Sequence, residues 1–272
     1  MSPVVENNTA TTLRLIDSHC HVHDTEFFAD NREELYQQSI AAGIGMICVG
    51  TDQRSSQQAV EFAANHDCVW AAVGVHPHDS KDGWGEIERL VKNRTENSPI
   101  VAIGEIGLDY YYNHSPREVQ IQALEAQLQL AIDYDLPVSF HIRDGVPDQP
   151  SVWDDFWPIF DNFHGLRGVL HSFTDTRLNL DKGFARGLYV GLNGISTFTK
   201  DQAQQELFAS IPLERLLLET DAPFLTPKPF RGKLNKPEYV ELVAKYWAME
   251  RKLVLHDLEK AATDNTVKLF GL

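Results

Sequence analysis

Leu13 to His23, LRLIDSHCHVH, reads as a buried strand that runs into a pair of histidines. Side chains of an extended chain alternate between faces, so His19 and His21 project to one side while Cys20 points to the other. Leu13, Leu15 and Ile16 bury the strand, and the pair falls at its carboxyl end, where parallel α/β folds carry their chemistry. Alone, an H-x-H pair is divided evenly between a metal site and two ordinary loop histidines. What stands at the ends of the other strands decides between them.

Seven more apolar, strand-like runs follow, starting near residues 44, 69, 100, 136, 167, 189 and 215, at spacings of 31, 25, 31, 36, 31, 22 and 26. Each interval is the length of one βα unit, and amphipathic helices fill the gaps. Leu35 and Ile40 point inward on the first, with Gly43 as its cap, and Ile121, Leu124, Leu128 and Ile132 form the buried stripe of another. Ser115-Pro116-Arg117-Glu118 opens that second helix with the pattern of a capping box. Eight right-handed βαβ crossovers close on themselves, so the expected fold is an α/β (β/α)8 TIM barrel with its site at the carboxyl strand ends. An open doubly wound sheet is the alternative, but no G-x-G-x-x-G or P-loop follows an early strand. Residues 13–272 read as one domain ending in covering helices from Asn235 onward, and residues 1–12 as a flexible tail.

With 43% hydrophobic residues the chain is no disordered protein, and a formal charge of -15 argues against wrapping nucleic acid nonspecifically on a basic surface. A local phosphate site built from bound cations and a few arginines remains open. Met1 to Thr12 lacks the basic and apolar regions of a signal peptide, and no apolar run approaches the roughly 20 residues that span a bilayer. Cys20, Cys48 and Cys68 are odd in number and lie in or beside apolar segments, which suits reduced thiols. The expectation is a cytoplasmic protein with no membrane association and no obligate protein partner.

The strand ends carry His19 and His21, then Glu105, His141, His171 and Asp221, every one a metal-ligand type. Glu105 lies between Ile103 and Ile106, where a lone carboxylate is costly to bury. A barrel gathers these ends around one mouth, so six such residues there point to a metal centre. Six donors exceed the four of a tetrahedral zinc, and a buried glutamate can bridge with both oxygens, so two divalent ions are expected, with Zn, Mn and Mg all compatible. Trp153 and Trp157, four apart on a helix, read as core.

DSHCH at 17–21, GVHPH at 74–78, GEIGLDYY at 104–111, LPVSFHIR at 136–143 and LLLETDAP at 216–223 followed by RGKLNKPEYV together resemble the TatD family of metal-dependent deoxyribonucleases, within the amidohydrolase superfamily. The resemblance runs in order from about Leu15 to the C-terminus. It implies that His19, His21, Glu105 and Asp221 hold one ion and Glu105, His141 and His171 the other. It also implies an exodeoxyribonuclease acting on single-stranded or frayed DNA with a bimetal-activated water. Asp221 or Glu219 would take a proton from that water, and His76, Arg143, Arg231 and Lys233 would contact phosphate. The alternative is an amidohydrolase-type enzyme that cleaves amide or ester bonds of a small molecule with the same centre. The chain departs from the family pattern at His23-Asp24, at Ser172, at Asp175 and in the Trp-rich insert 144–157.

Overall fold

The computed structural model describes residues 13–112, 114–146 and 150–272. The expected N-terminal tail, 1–12, lies outside the described residues. Eight strands form the sheet: β1 (Leu15–Cys20), β2 (Ile44–Val49), β3 (Val69–Val73), β4 (Ile100–Asp109), β5 (Val138–Arg143), β6 (Gly168–Leu170), β7 (Tyr189–Leu192) and β8 (Leu216–Leu218). They pair in chain order and in parallel, with helices between them. The ring closes where Cys20 bridges to Ala222, the Asp221 N–H donates to the His19 carbonyl at 2.9 Å, and the His21 N–H donates to the Ala222 carbonyl at 2.8 Å. This is the expected (β/α)8 barrel.

Ile16, Ile47, Ala72, Ala102, Val169, Tyr189 and Leu217, one from each strand except β5, meet in a single cluster with Leu269 and Phe270 of the last helix, Leu255–Phe270. Strands so far apart in order touch only across the interior, so this cluster fills the barrel. Leu269 and Phe270 close its floor. The helix stops at Gly271, whose φ of 71° is the left-handed cap that glycine adopts without steric cost. A second, larger cluster, including Leu108, Leu128, Phe140, Phe156 and Trp247, packs helices onto the outside of the ring.

Local differences from the sequence expectations have physical causes. Ser115 does not cap the helix Arg117–Asp133, whose first position follows Pro116 with no side-chain cap. Its hydroxyl instead donates to the His78 carbonyl at 2.6 Å and accepts from the Lys81 N–H at 3.2 Å, so the capping box is replaced by a tie to the turn after β3. β4 runs past Glu105 as far as Asp109 because Gly107 lets it press against β5, where a Cβ would come within 1.8 Å of the His141 carbonyl oxygen. Trp153 and Trp157 are core residues, stacked with centroids 5.1 Å apart on the helix Trp153–Asp161.

Candidate metal centre

The mouth of the barrel brings all six expected donors together. His19 Nε2 lies 3.3 Å from Glu105 Oε2 and 3.7 Å from Asp221 Oδ1, and His21 Nε2 lies 3.3 Å from the same Asp221 oxygen. On the other side of Glu105, His141 Nδ1 is 2.7 Å and His171 Nε2 3.8 Å from Oε1. Their donor atoms fall into overlapping trios, His19-Glu105-His171, His19-His21-Asp221 and His76-Glu105-His141, each within 4.8 Å. His76, expected at phosphate, thus stands inside the cluster, its Nε2 3.8 Å from Glu105 Oε1.

The imidazoles are turned by what their other nitrogens touch. His21 Nδ1 donates to the Val49 carbonyl at 2.7 Å, which leaves Nε2 as a lone pair facing Asp221. His171 Nδ1 rests 3.0 Å from Glu219 Oε1, so its Nε2 faces the cluster. His19 Nε2 is buried and has no hydrogen-bond partner among the described residues, although two carboxylate oxygens stand close by. An unpaired nitrogen between acid oxygens, in a set of imidazole and carboxylate donors, fits a divalent cation.

Electrostatics point the same way. Burial pushes the Glu105 carboxyl up, but His171, His141 and His19 outweigh it and hold it well below the usual range. Asp221 is lowered likewise, with His21, His171 and His19 overcoming burial. Burial works against protonating His141 and His171, yet Asp109 and Glu105 raise the first to about 9, and Glu219, Glu105 and Asp221 raise the second to about 10. Burial and His171 lower His19, and burial and His141 hold His76 well down. This pocket of carboxylates therefore demands positive charge, which protons on two histidines supply and a divalent ion on the same donors also supplies.

Glu219 and Asp221, two apart in sequence, face opposite nitrogens of His171, Nδ1 at 3.0 Å and Nε2 at 3.7 Å. β8 ends at Leu218 and Asp221 has a φ of 59°, in the left-handed region that Asp tolerates better than most residues, so alternation stops before either carboxylate. Glu219 is fully buried behind His171, accepts the Ser172 N–H at 2.7 Å, and lies over Gly191, where a Cβ would meet its Oε2 at 2.2 Å.

Two further acids escaped the sequence analysis. Asp109 Oδ2 lies 3.0 Å from both His141 Nε2 and His78 Nε2, and its Oδ1 accepts from the Tyr111 and Tyr112 N–H groups at 2.9 and 3.0 Å. Asp17 accepts from the Thr220 N–H at 2.8 Å and its hydroxyl at 2.5 Å, tying β1 to the segment that carries Asp221. The spacing 105, 107, 109 along β4 was the available signal for Asp109.

Among the expected phosphate contacts, Arg143 is exposed at the end of β5, its guanidinium 4.5 and 4.8 Å from the ring centres of Tyr111 and Tyr112. Arg231 lies over Phe198 at 3.5 Å and donates to the Thr226 carbonyl at 3.2 Å, while Lys233 is exposed near Phe230. Both stand on the loop after β8. Asp175 and Trp153, both departures from the family pattern, are in contact: Asp175 Oδ2 accepts the Trp153 indole N–H at 2.8 Å.

A (β/α)8 barrel with imidazoles and carboxylates converging at its carboxyl mouth defines the class, a metal-dependent hydrolase. The chain belongs to the TatD family: the family model described as TatD related DNase matches residues 16–271. It is 31% identical over 258 residues to the uncharacterized metal-dependent hydrolase YabD of Bacillus subtilis, covering 95% of this chain and 99% of that one. It is 36% identical over 256 residues to the 3'-5' ssDNA/RNA exonuclease TatD of Escherichia coli K12, covering 90% and 95%. The crystal structure of YjjV, a TatD homolog from Escherichia coli K12, superposes with a TM-score of 0.85 at 28% identity, covering 96% of this chain and 99% of that one.

Proposed function

We propose that this chain is a divalent-metal-dependent exonuclease that removes nucleotides from the 3' end of single-stranded DNA or RNA. The observation that carries the reading is the unpaired His19 Nε2 set between Glu105 and Asp221 at the barrel mouth of a TatD-family chain. His19, His21, Glu105 and Asp221 would hold one ion and Glu105, His141 and His171 a second, with Glu105 as the bridge; Zn, Mn and Mg all suit such donors. When bound, ions there supply Lewis acidity for the phosphoryl oxygens and lower the pKa of the attacking water.

The chain's own groups do the rest. Asp221, lowered and therefore ionised at neutral pH, takes a proton from the water. Glu219 acts through His171, which it orients. His76 and Arg143 meet the scissile phosphate, and Arg231 and Lys233 the strand beyond it. A nuclease is favoured over an amide or ester hydrolase by the relatives named exonucleases and by the cations around the mouth.

The test pairs a substrate panel with metal analysis. Single-stranded DNA, RNA, duplex DNA and acyl amides are offered with Mg, Mn or Zn, beside Glu105→Ala. The single strands should be shortened from the 3' end, and the variant should lose one or both ions and several orders of magnitude in rate while remaining folded. Hydrolysis of amides with every nucleic acid left intact would reject the assignment. Two ions per chain with near wild-type activity in the variant would reject the bridge.

A further inference from the structure

Two phenylalanines stand half-exposed on the rim of the mouth, Phe27 at 44% and Phe224 at 47%. Their rings meet edge to face with centroids 5.2 Å apart, and the Phe224 ring centre is 6.3 Å from that of His21. The open aromatic surface is thus continuous with the metal cluster.

Neither ring owes its place to slack backbone. Phe27 sits on the single turn Thr25–Phe28, whose start is capped by Asp24 Oδ1 accepting the Glu26 N–H at 2.7 Å and whose Phe28 is fully buried. Arg54 ties the same turn down, donating to Glu26 at 3.0 Å and to the Thr25 hydroxyl at 3.3 Å. The Phe224 N–H donates to the Asp221 carbonyl at 2.8 Å, and the Asn235 carboxamide donates to the carbonyls of Phe224 and Thr220 at 2.5 and 2.8 Å. The loop that sets the Asp221 backbone therefore also sets Phe224. Adjacent phenylalanines divide the labour: Phe28 anchors in the core and Phe27 is held out at the rim.

We infer that Phe27 and Phe224 form a stacking platform for the nucleobase of the terminal nucleotide, whose phosphate lies at the metal cluster. The inference rests on the nuclease reading and names how that site holds its substrate. Bases stack on aromatic rings without regard to sequence, because every base offers a π-face. The wall suits a base better than a phosphate: Asp24 and Glu26 stand beside Phe27, and Arg54 is already spoken for by Glu26. The opposite wall, with Arg143 over Tyr111 and Tyr112, suits the backbone. A base inside a duplex has both faces covered, so the platform takes only a base at a strand end, and most readily one that is unpaired or frayed and free to turn onto it.

The experiment compares oligonucleotides whose 3'-terminal nucleotide carries a base or is abasic. Wild-type protein should favour the base-bearing end in kcat/KM by roughly tenfold to a hundredfold, the range that stacking of one base supplies. Phe27→Ala with Phe224→Ala should cut both ends at the abasic rate, and Phe224→Trp should restore the preference. A second readout needs no turnover: with chelator present, fluorescence of a terminal 2-aminopurine should be quenched by wild-type protein and not by the double alanine variant. Wild-type protein that cuts single strands yet neither discriminates nor quenches overturns the platform, as does a double variant that keeps the preference. Wild-type protein that quenches but cuts no oligonucleotide upholds the platform and sinks the nuclease reading.

Discussion

Around the cluster, Asp221 keeps 13% of its side chain exposed, against 5% for Glu105, 1% for Glu219 and none for Asp109. Only a carboxylate that reaches the solvent side can take a proton from an attacking water, and that argument separates Asp221 from Glu219. Asp221→Asn should lower kcat by about 10²–10⁴-fold, the usual worth of general base catalysis. Glu219→Gln should cost about 10–100-fold in rate or metal affinity, as loss of a partner to a ligand histidine does. Kinetics and elemental analysis on both variants check the order, and a larger loss from Glu219→Gln would reverse the assignment. The raised histidines give a pH signature. Folded values of about 9 for His141 and about 10 for His171 exceed the roughly 6.5 of an unfolded chain, so their stabilising contribution is complete below about pH 6.5 and drains away as pH rises through those values. Chelator-treated protein should lose urea resistance between about pH 7 and 10, whereas metal-loaded protein, its imidazoles held by cations, should not. Equal slopes for the two forms would show that these protons do not stabilise the fold. Glu105 was legible in the sequence because an acid among isoleucines and glycines has no local reason to be there. Asp109 and Asp17 were not, because their meaning depends on His141 and Thr220, which only the folded chain brings near.

At the scale of elements, the repeat of apolar runs was legible because each parallel strand is buried on both faces, and burial leaves a mark in composition. Where elements end was less so: β8 stops at Leu218 and Ser115 serves a neighbouring turn instead of its own helix, both decided by tertiary contacts. β7 offers a test of how tightly elements and chemistry are joined. At Gly191 any side chain would enter the space of the Glu219 carboxylate, 2.2 Å from where a Cβ would stand. Gly191→Ala should therefore push Glu219 against His171, lowering stability by about 1–3 kcal/mol, as overpacking does, and reducing kcat together with it. Urea denaturation and rate measurement on the variant check this, and an unchanged kcat would mean that His171 keeps its place without Glu219.

For the molecule as a whole, a net charge of -15 coexists with a proposed substrate that is itself a polyanion, so affinity for it must come from the mouth and not from the general surface. The mouth is also where the barrel shuts. The first and last strands are joined by the His19 carbonyl with the Asp221 N–H, by the His21 N–H with the Ala222 carbonyl, and by Asp17 with Thr220. His19, His21 and Asp221 are thus donors to the proposed first ion and members of the closing seam at once. An ion there acts as a clasp between the two ends of the chain, fastening residues some two hundred positions apart. Amide hydrogen exchange at His21 and Asp221 should slow on metal loading by more than at β2 and β3, because binding stabilises most the opening that would release the ion. Uniform slowing around the ring would mean that the seam opens only with the whole barrel; if the seam alone is protected, the ion that serves the chemistry is also the fastener of the fold.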